Sequence, residues 1–270
     1  MTTPGLRGSQ DIGAAPPPPP RLYRIWAGVY GGVQVGEDFH GIDFRNVSSA
    51  QIASAISQDG ILTALANSLP GMPILPQINT NGPSYGGFLG YNWQIDDVVF
   101  GTELNANRSA LHQTTYSSVT RSYVVTSGGY LYAPTTVNVN NSGTVDMSDY
   151  FTLRGRVGWA FGNFLPYLVA GVSFAQIDSS QYADINYVGT CVSQPTTPCP
   201  TANFKVGGNY PFYSVSHGKY ILGFDTALGM DYMLTKYAFL RGEVEYLQLG
   251  TPSDIRLNTV SARFALGLKY

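Results

Sequence analysis

The chain has 270 residues, a length at which an all-β barrel or sandwich often forms one domain. Only 12% of the residues are charged, about half the globular norm of roughly 25%, while an ordinary 44% are hydrophobic. A content of 13% aromatic residues argues against disorder, and a net charge of −2 with no basic run argues against nucleic-acid binding. Membrane helices would need runs of about 20 apolar residues. Residues 157–177 come nearest, with no charged residue over 21 positions. Gly162-Asn163 divides that stretch and Pro166 follows, so it reads better as two strands about a turn, with Pro166 at the first position of the second.

Residues 1–22 form a Pro-rich segment in which five consecutive prolines, ending at Pro20, set a polyproline rod about 15 Å long, read as a spacer. No apolar secretory core precedes it, so a signal peptide is expected to be absent or already removed.

From Ile25 onward the pattern alternates with the period of a strand whose two faces differ. The first strand places Ile25, Val29, Val33 and Val35 on one face, and the second places Tyr85, Leu89, Tyr91 and Trp93. The third follows a tight turn at Asp96-Asp97, with Val98, Phe100, Leu104 and Ala106 on its apolar face. The fourth shows Phe151, Leu153, Val157, Trp159 and Phe161, and the fifth Leu168, Ala170, Val172 and Phe174. The sixth shows Tyr220, Leu222, Phe224, Leu228, Met230 and Tyr232. The seventh shows Leu240, Val244 and Tyr246, and the eighth Val260, Ala262, Phe264, Leu266, Leu268 and Tyr270.

Ten ionisable residues lie within these segments: Glu103, Arg154, Arg156, Asp225, Asp231, Arg241, Glu243, Glu245, Arg263 and Lys269. All fall on the face opposite the apolar one. A soluble sandwich would bury the apolar face, whereas a membrane barrel turns it to lipid and keeps the polar face inside. Three features favour the barrel. Connections alternate between short turns and long loops at about 37–84, 108–149 and 178–219. Aromatic residues gather at both ends of the apolar faces, as membrane-interface girdles do. An even strand count places both ends of the barrel on the short-turn side, with the Pro-rich tail in the periplasm. The fold class is therefore all-β: an eight-stranded antiparallel up-and-down transmembrane β-barrel over residues 23–270 with long extracellular loops.

The runs Trp26-Ala27-Gly28-Val29-Tyr30-Gly31-Gly32, Gly90-Tyr91-Asn92-Trp93-Gln94, Arg154-Gly155-Arg156-Val157-Gly158-Trp159-Ala160-Phe161 and Gly242-Glu243-Val244-Glu245-Tyr246 resemble the small outer-membrane barrels of alpha-proteobacteria. These are similar in shape to the transmembrane domain of outer membrane protein A and include porin-family proteins. The final Phe264, Leu266, Leu268 and Tyr270 resemble the C-terminal signal read by the barrel-assembly machinery. The resemblance covers the strands, roughly half the chain, and leaves the loops unexplained. It implies the bacterial outer membrane as location, without the peptidoglycan-binding domain of larger relatives.

An eight-stranded lumen is just wide enough to be filled by side chains, and unpaired charges there would be costly. The ten interior charges are thus expected to pair as a lumen network that rigidifies the barrel, with a proton or ion path as the alternative. Cys191 and Cys199 are expected to form a disulfide closing a small loop in an oxidising envelope. His40, His112 and His217 show no metal-ligand spacing, and His217 with Ser214 and Ser216 is weak ground for catalysis. Ser48-Ser49 can cap a helix carrying Ile52, Ile56, Leu62, Leu65 and Leu69, interrupted at Gly60, which would pack over the barrel mouth or meet a partner. Tyr123-Val124-Val125 and Tyr130-Leu131-Tyr132 about Ser127-Gly128-Gly129 read as a hairpin above the membrane. The expected role is structural and surface-interactive, through the loops; the alternative is a narrow channel or, from the resemblance, a haem-type receptor. Expected partners are outer-membrane lipid, the assembly machinery, and surface or second-copy partners. No nucleic acid, cofactor, metal or enzymatic activity is expected.

Overall fold

Strand alternation broken by a few left-handed turn residues folds a chain into hairpins, and eight such strands can close on themselves and leave no edge. The computed structural model describes residues 25–44, 52–69, 75, 77–250 and 256–270; the Pro-rich tail and the Ser48-Ser49 cap lie outside them. The strands are β1 (Gly28–Asp43), β2 (Ile78–Ile95), β3 (Val98–Ser127), β4 (Tyr130–Trp159), β5 (Phe164–Val192), β6 (Lys205–Met233), β7 (Ala238–Leu249) and β8 (Arg256–Lys269). They form a closed barrel in sequence order, with β1 pairing antiparallel to β8. Two helical turns stand between β1 and β2, α1 at 52–56 and α2 at Gly60–Ala64.

The turns have local causes. Asp96 (φ 53°) and Gly162 (φ 59°) turn the β2–β3 and β4–β5 hairpins at one end. At the other, Gly128 and Gly129 (φ 59° and 84°) supply the two left-handed positions that a type I′ turn needs.

The apolar faces point out and the charged faces in. Val33, Leu89, Leu104, Leu153, Leu168, Leu228, Val244 and Leu266 are exposed, whereas Glu103, Arg154, Arg156, Arg241 and Glu243 are buried. Outward aromatics pair across strands at both margins: Trp93 beside Phe100 and Phe164 beside Tyr232 near the short turns, Phe151 beside Phe174 at the far margin. Phe151 and Trp159 are eight residues apart, about 27 Å along the strand and about 20 Å of height at a 40° tilt, near the roughly 25 Å apolar band of a barrel.

The long connections differ from expectation. Residues 108–149 and 178–219 are largely strand: β3 to β6 run 29 or 30 residues each and rise as a four-stranded sheet. β1 extends to Asp43 and β2 begins at Ile78, which shortens the 37–84 connection as well. Register shifts between Arg108 and Leu111, Met147 and Tyr150, and Ile177 and Ser179 draw a line of bulges where the closed barrel gives way to the open sheet. Bulges bend strands and are common at barrel rims. In β6 the bulge passes through Gly218 (φ 60°), whose amide donates to Asp178 Oδ1. Ser, Thr and Asn fill these upper strands so densely that the segments read as loops, yet their alternation is intact.

Candidate functional site

The interior is layered. Nearest the short turns lies an apolar stopper of Trp26, Tyr30, Phe88, Val99, Leu165, Met233 and Phe239. Trp26 Nε1 donates to the carbonyl of Gly162 at 3.2 Å, which ties the stopper to a turn. Space for the large rings comes from glycines directly paired with them on neighbouring strands. A Cβ at Gly90 would lie 2.4 Å from Tyr30, at Gly229 2.4 Å from Tyr167, and at Gly267 2.2 Å from Phe239.

Above the stopper is the charged layer. Arg154 donates to Glu103 at 2.7 Å, to Glu243 at 2.8 Å and to Glu245 at 3.2 Å, and lies 3.7 Å from Asp225. Arg241 bridges Asp231 (2.8 Å) and Glu103 (2.7 Å), and Arg156 donates to Asp231 at 2.9 Å. Arg263 meets Glu245, the Tyr150 hydroxyl and, at 3.6 Å, Asp38. The Arg241 guanidinium also stands 4.2 Å from the Phe88 ring centre, and that of Arg156 3.9 Å from Tyr167.

Nine of the ten sequence-singled charges thus share one network. Lys269 does not join it: near the end of β8 it is half-buried at the barrel rim, beside Lys236 in a cleft of about 490 Å³. In its place stands Asp38, overlooked because β1 runs past Gly36. Among the described residues the buried lumen therefore holds six carboxylates against four guanidiniums, not five charges of each sign. Uncharged donors offset the excess: Tyr30 to Glu103 (2.8 Å), Tyr167 to Glu243 (2.6 Å), Asn105 to Glu103 (2.9 Å) and Ser84 to Asp38 (2.8 Å). Tyr30 and Tyr167 had a sequence signal, an aromatic on the charged face with a glycine on a neighbouring strand. A second apolar layer, including Ile42, Phe44, Leu111, Met147, Tyr150, Leu247 and Leu257, closes the lumen from above.

The sheet beyond the bulges has its own core. Ile52, Ala55, Ile61, Leu62, Leu65 and Leu69 of the helical segment pack on Val125, Tyr132, Val137, Val139, Ile185 and Tyr187. Gly60, rather than only interrupting a helix, is the first residue of α2, and Asp59 caps it by accepting from the amides of Ile61 (2.7 Å) and Leu62 (3.3 Å). The other Asp59 oxygen accepts from the hydroxyls of Tyr187 (2.8 Å) and Tyr210 (2.6 Å), latching the segment to β5 and β6. Burial pushes the Asp59 carboxyl up, but the two phenols and two amides outweigh it and hold the group below the ordinary carboxylate value. Cys191 and Cys199 are disulfide-bonded at the top of β5.

The remaining candidates stand apart. His217 is exposed, and no hydrogen bond among the described residues joins it to Ser214 or Ser216. His40 is buried and contacts Thr259 and Ser109, and His112 meets Asp146 on the outer face. Among the described residues no group of three or more His, Cys, Asp or Glu side chains is placed to hold a metal ion. Phe264, Leu266, Leu268 and Tyr270 form an exposed outward row along β8 to the last residue.

A closed antiparallel ring with an apolar outer band, aromatic margins and a charged interior is an outer-membrane design, and the sequence matches the outer membrane protein beta-barrel domain over residues 23–270. The chain belongs to that family. It is a protein of the bacterial outer membrane, with the short turns at the periplasmic side and the four-stranded sheet outside the cell. Solved structures similar to it include Neisserial surface protein A (12% identity, TM-score 0.37, covering 90% of this chain and 98% of that one). OprG from Pseudomonas aeruginosa is similar at 13% identity and TM-score 0.37, covering 90% and 96%. Ail, the attachment invasion locus protein of Yersinia pestis, is similar at 8% identity and TM-score 0.28, covering 89% and 99%. No curated protein matches the chain.

Proposed function

We propose that this barrel is an anchor and that its work is recognition at the cell surface, carried by the sheet of β3 to β6. The observation that carries this reading is the contrast between a filled lumen and a built exterior. The charged layer is bracketed by apolar layers, which speaks against a standing pore, while the sheet above has a core, a capped helix and a disulfide of its own.

The sheet also offers an edge. β2 pairs with β3 only up to Ser109, and β7 with β6 only up to Gly223, so among the described residues both outer strands of the sheet run on without a paired strand, with α2 lying beside the upper end of β3 at Ser127. The β6 edge carries Lys205, Pro211 and Lys219, which discourage strand addition. The β3 edge over 113–127 has Arg121 as its one full charge and no proline, a surface suited to an added strand from a partner. A non-enzymatic role is supported by the isolation of His217 and by the sealing of Glu243 and Glu245 from solvent.

The test uses vesicles carrying the full chain, panned over immobilised extracellular-matrix proteins, and planar bilayers carrying the same protein. Expected are capture without stepwise conductance, and loss of capture when residues 111–147 are replaced by an Asn-Gly turn that leaves the barrel heat-modifiable on gels. Stepwise conductance, or capture that survives the shortened hairpin, would overturn the reading.

A further inference from the structure

On the outer wall of β1, where β2 and β8 flank it, lies a cleft of about 390 Å³ lined by Phe39, Gly41, Asn79, Asn81, Asn258 and Val260. Register explains its shape. Gly41 pairs with Asn79 on one side and Asn258 on the other, and one step below Phe39 pairs with Asn81 and Val260. Two strand spacings, about 9.6 Å, separate the backbones of β2 and β8. The missing side chain of Gly41 thus leaves a notch about one sugar ring wide, with an amide on each flank and the half-exposed Phe39 ring as its floor.

Glycine is not there for backbone reasons. Its φ lies outside the left-handed range, and a Cβ would meet Asn79 Oδ1 at 3.6 Å and the Asn258 carbonyl at 3.9 Å, ordinary contacts. What glycine supplies is space. Amides that both donate and accept suit vicinal hydroxyls, and an aromatic face suits the C–H face of a pyranose. Asn81 is oriented by donating to Glu37 at 2.6 Å, and that carboxylate beside the floor disfavours a phosphate.

Height selects the source of the sugar. A walk along paired residues from Trp93 round all eight strands returns to β2 at Pro83, ten residues up. With each strand-to-strand step climbing just over one residue, Phe39, Gly41, Asn79, Asn81 and Asn258 stand roughly three to six residues above Tyr85, an exposed aromatic near the level of Phe151 at the far margin, or about 8–16 Å at a 40° tilt. That is the headgroup zone of the outer leaflet, and the notch faces sideways into it. We propose that this notch binds one neutral core-sugar ring of the outer leaflet's glycolipid, an annular site independent of the recognition sheet.

The test measures binding to the full chain in detergent micelles, by native mass spectrometry and titration. The three probes are lipopolysaccharide bearing its core sugars, lipid A without them, and the delipidated core oligosaccharide. Expected is retention of the core-bearing glycolipid by the wild type and a roughly tenfold weakening in Gly41→Leu and in Asn79→Ala/Asn258→Ala. Lipid A without the core sugars should bind wild type and variants alike. A heat-dependent gel shift reports folding, and if Gly41→Leu fails it, the exposed asparagine pair carries the test. Equal retention by wild type and variants would overturn the proposal. So would a matching drop with lipid A alone, which would locate the contact at its phosphorylated disaccharide or acyl chains and not at a core sugar. Free oligosaccharide binding as tightly as the glycolipid would overturn the lipid source.

Discussion

The same four strands pass through two solvents, and β4 records the change along its length. Below the bulges Phe151, Leu153, Val157 and Trp159 are exposed to lipid while Arg154 and Arg156 are buried. Above them Val137, Val139, Val145 and Met147 are buried in apolar cores, and Thr136, Asn138, Asn140, Ser142 and Thr144 take the other face. These eight apolar residues, from Val137 to Trp159, all hold odd positions. The register shift between Met147 and Tyr150 turns that parity from the inside of an aqueous sheet to the outside of a membrane barrel. In β6 the same holds for even positions, from Phe212 above the bulge to Leu222 and Leu228 below it. A one-residue device thus lets an unbroken alternation serve both water and lipid.

The contrast can be broken most strongly from inside. Arg154→Ala would leave Glu103, Glu243, Glu245 and Asp225 without their shared cation, and a loss of about 3–5 kcal/mol is expected in urea unfolding in micelles. Outward positions of β3 test the solvent change itself. Leu104→Arg, near mid-band, should cost about 2–4 kcal/mol, whereas Thr120→Arg, on the same parity above the bulges, should stay within about 0.5 kcal/mol. Gly229→Ala would drive a methyl into Tyr167, for an expected loss of about 1–3 kcal/mol and release of the Tyr167–Glu243 bond.

The smallest effect is local to the exterior. Asp59→Ala should cost about 0.5–2 kcal/mol, seen as faster hydrogen exchange at Ile61 and Leu62 with the barrel amides unchanged. Because the folded Asp59 carboxyl titrates below its unfolded value, its contribution is complete above the ordinary carboxylate range and disappears as pH falls through the depressed value. Protection factors at these two amides, with the intrinsic pH dependence of exchange divided out, should therefore fall on acidification in the wild type and stay flat in Asp59→Asn.

The barrel was legible in the sequence because lipid demands bulky outward residues, which make alternation unmistakable in runs such as Phe151, Leu153, Val157 and Trp159. The charges of that layer were legible too, as residues opposite the apolar parity. The upper sheet was not. Its strands alternate Val or Tyr with Ser, Thr and Asn, a composition shared with loops, and only long-range pairing such as Val139 with Ile185 separates the two. Asp38 was not legible because β1 runs past Gly36, and Lys269 stands at the end of β8, where parity says which way a side chain points but not how deep it sits. The Asp59 latch joins residues 128 and 151 positions apart, beyond the reach of periodicity.

The most direct test is a solvent scan of β4, with an environment-sensitive label placed in turn at outward positions 136, 138, 140, 142 and 144 and then at 151, 153, 157 and 159, in lipid nanodiscs. Water contact is expected at every even position of the first group and lipid contact at every odd position of the second, with the change falling between 147 and 150. Lipid contact continuing on the even positions above the bulges, or water reaching 153 and 157, would contradict that expectation.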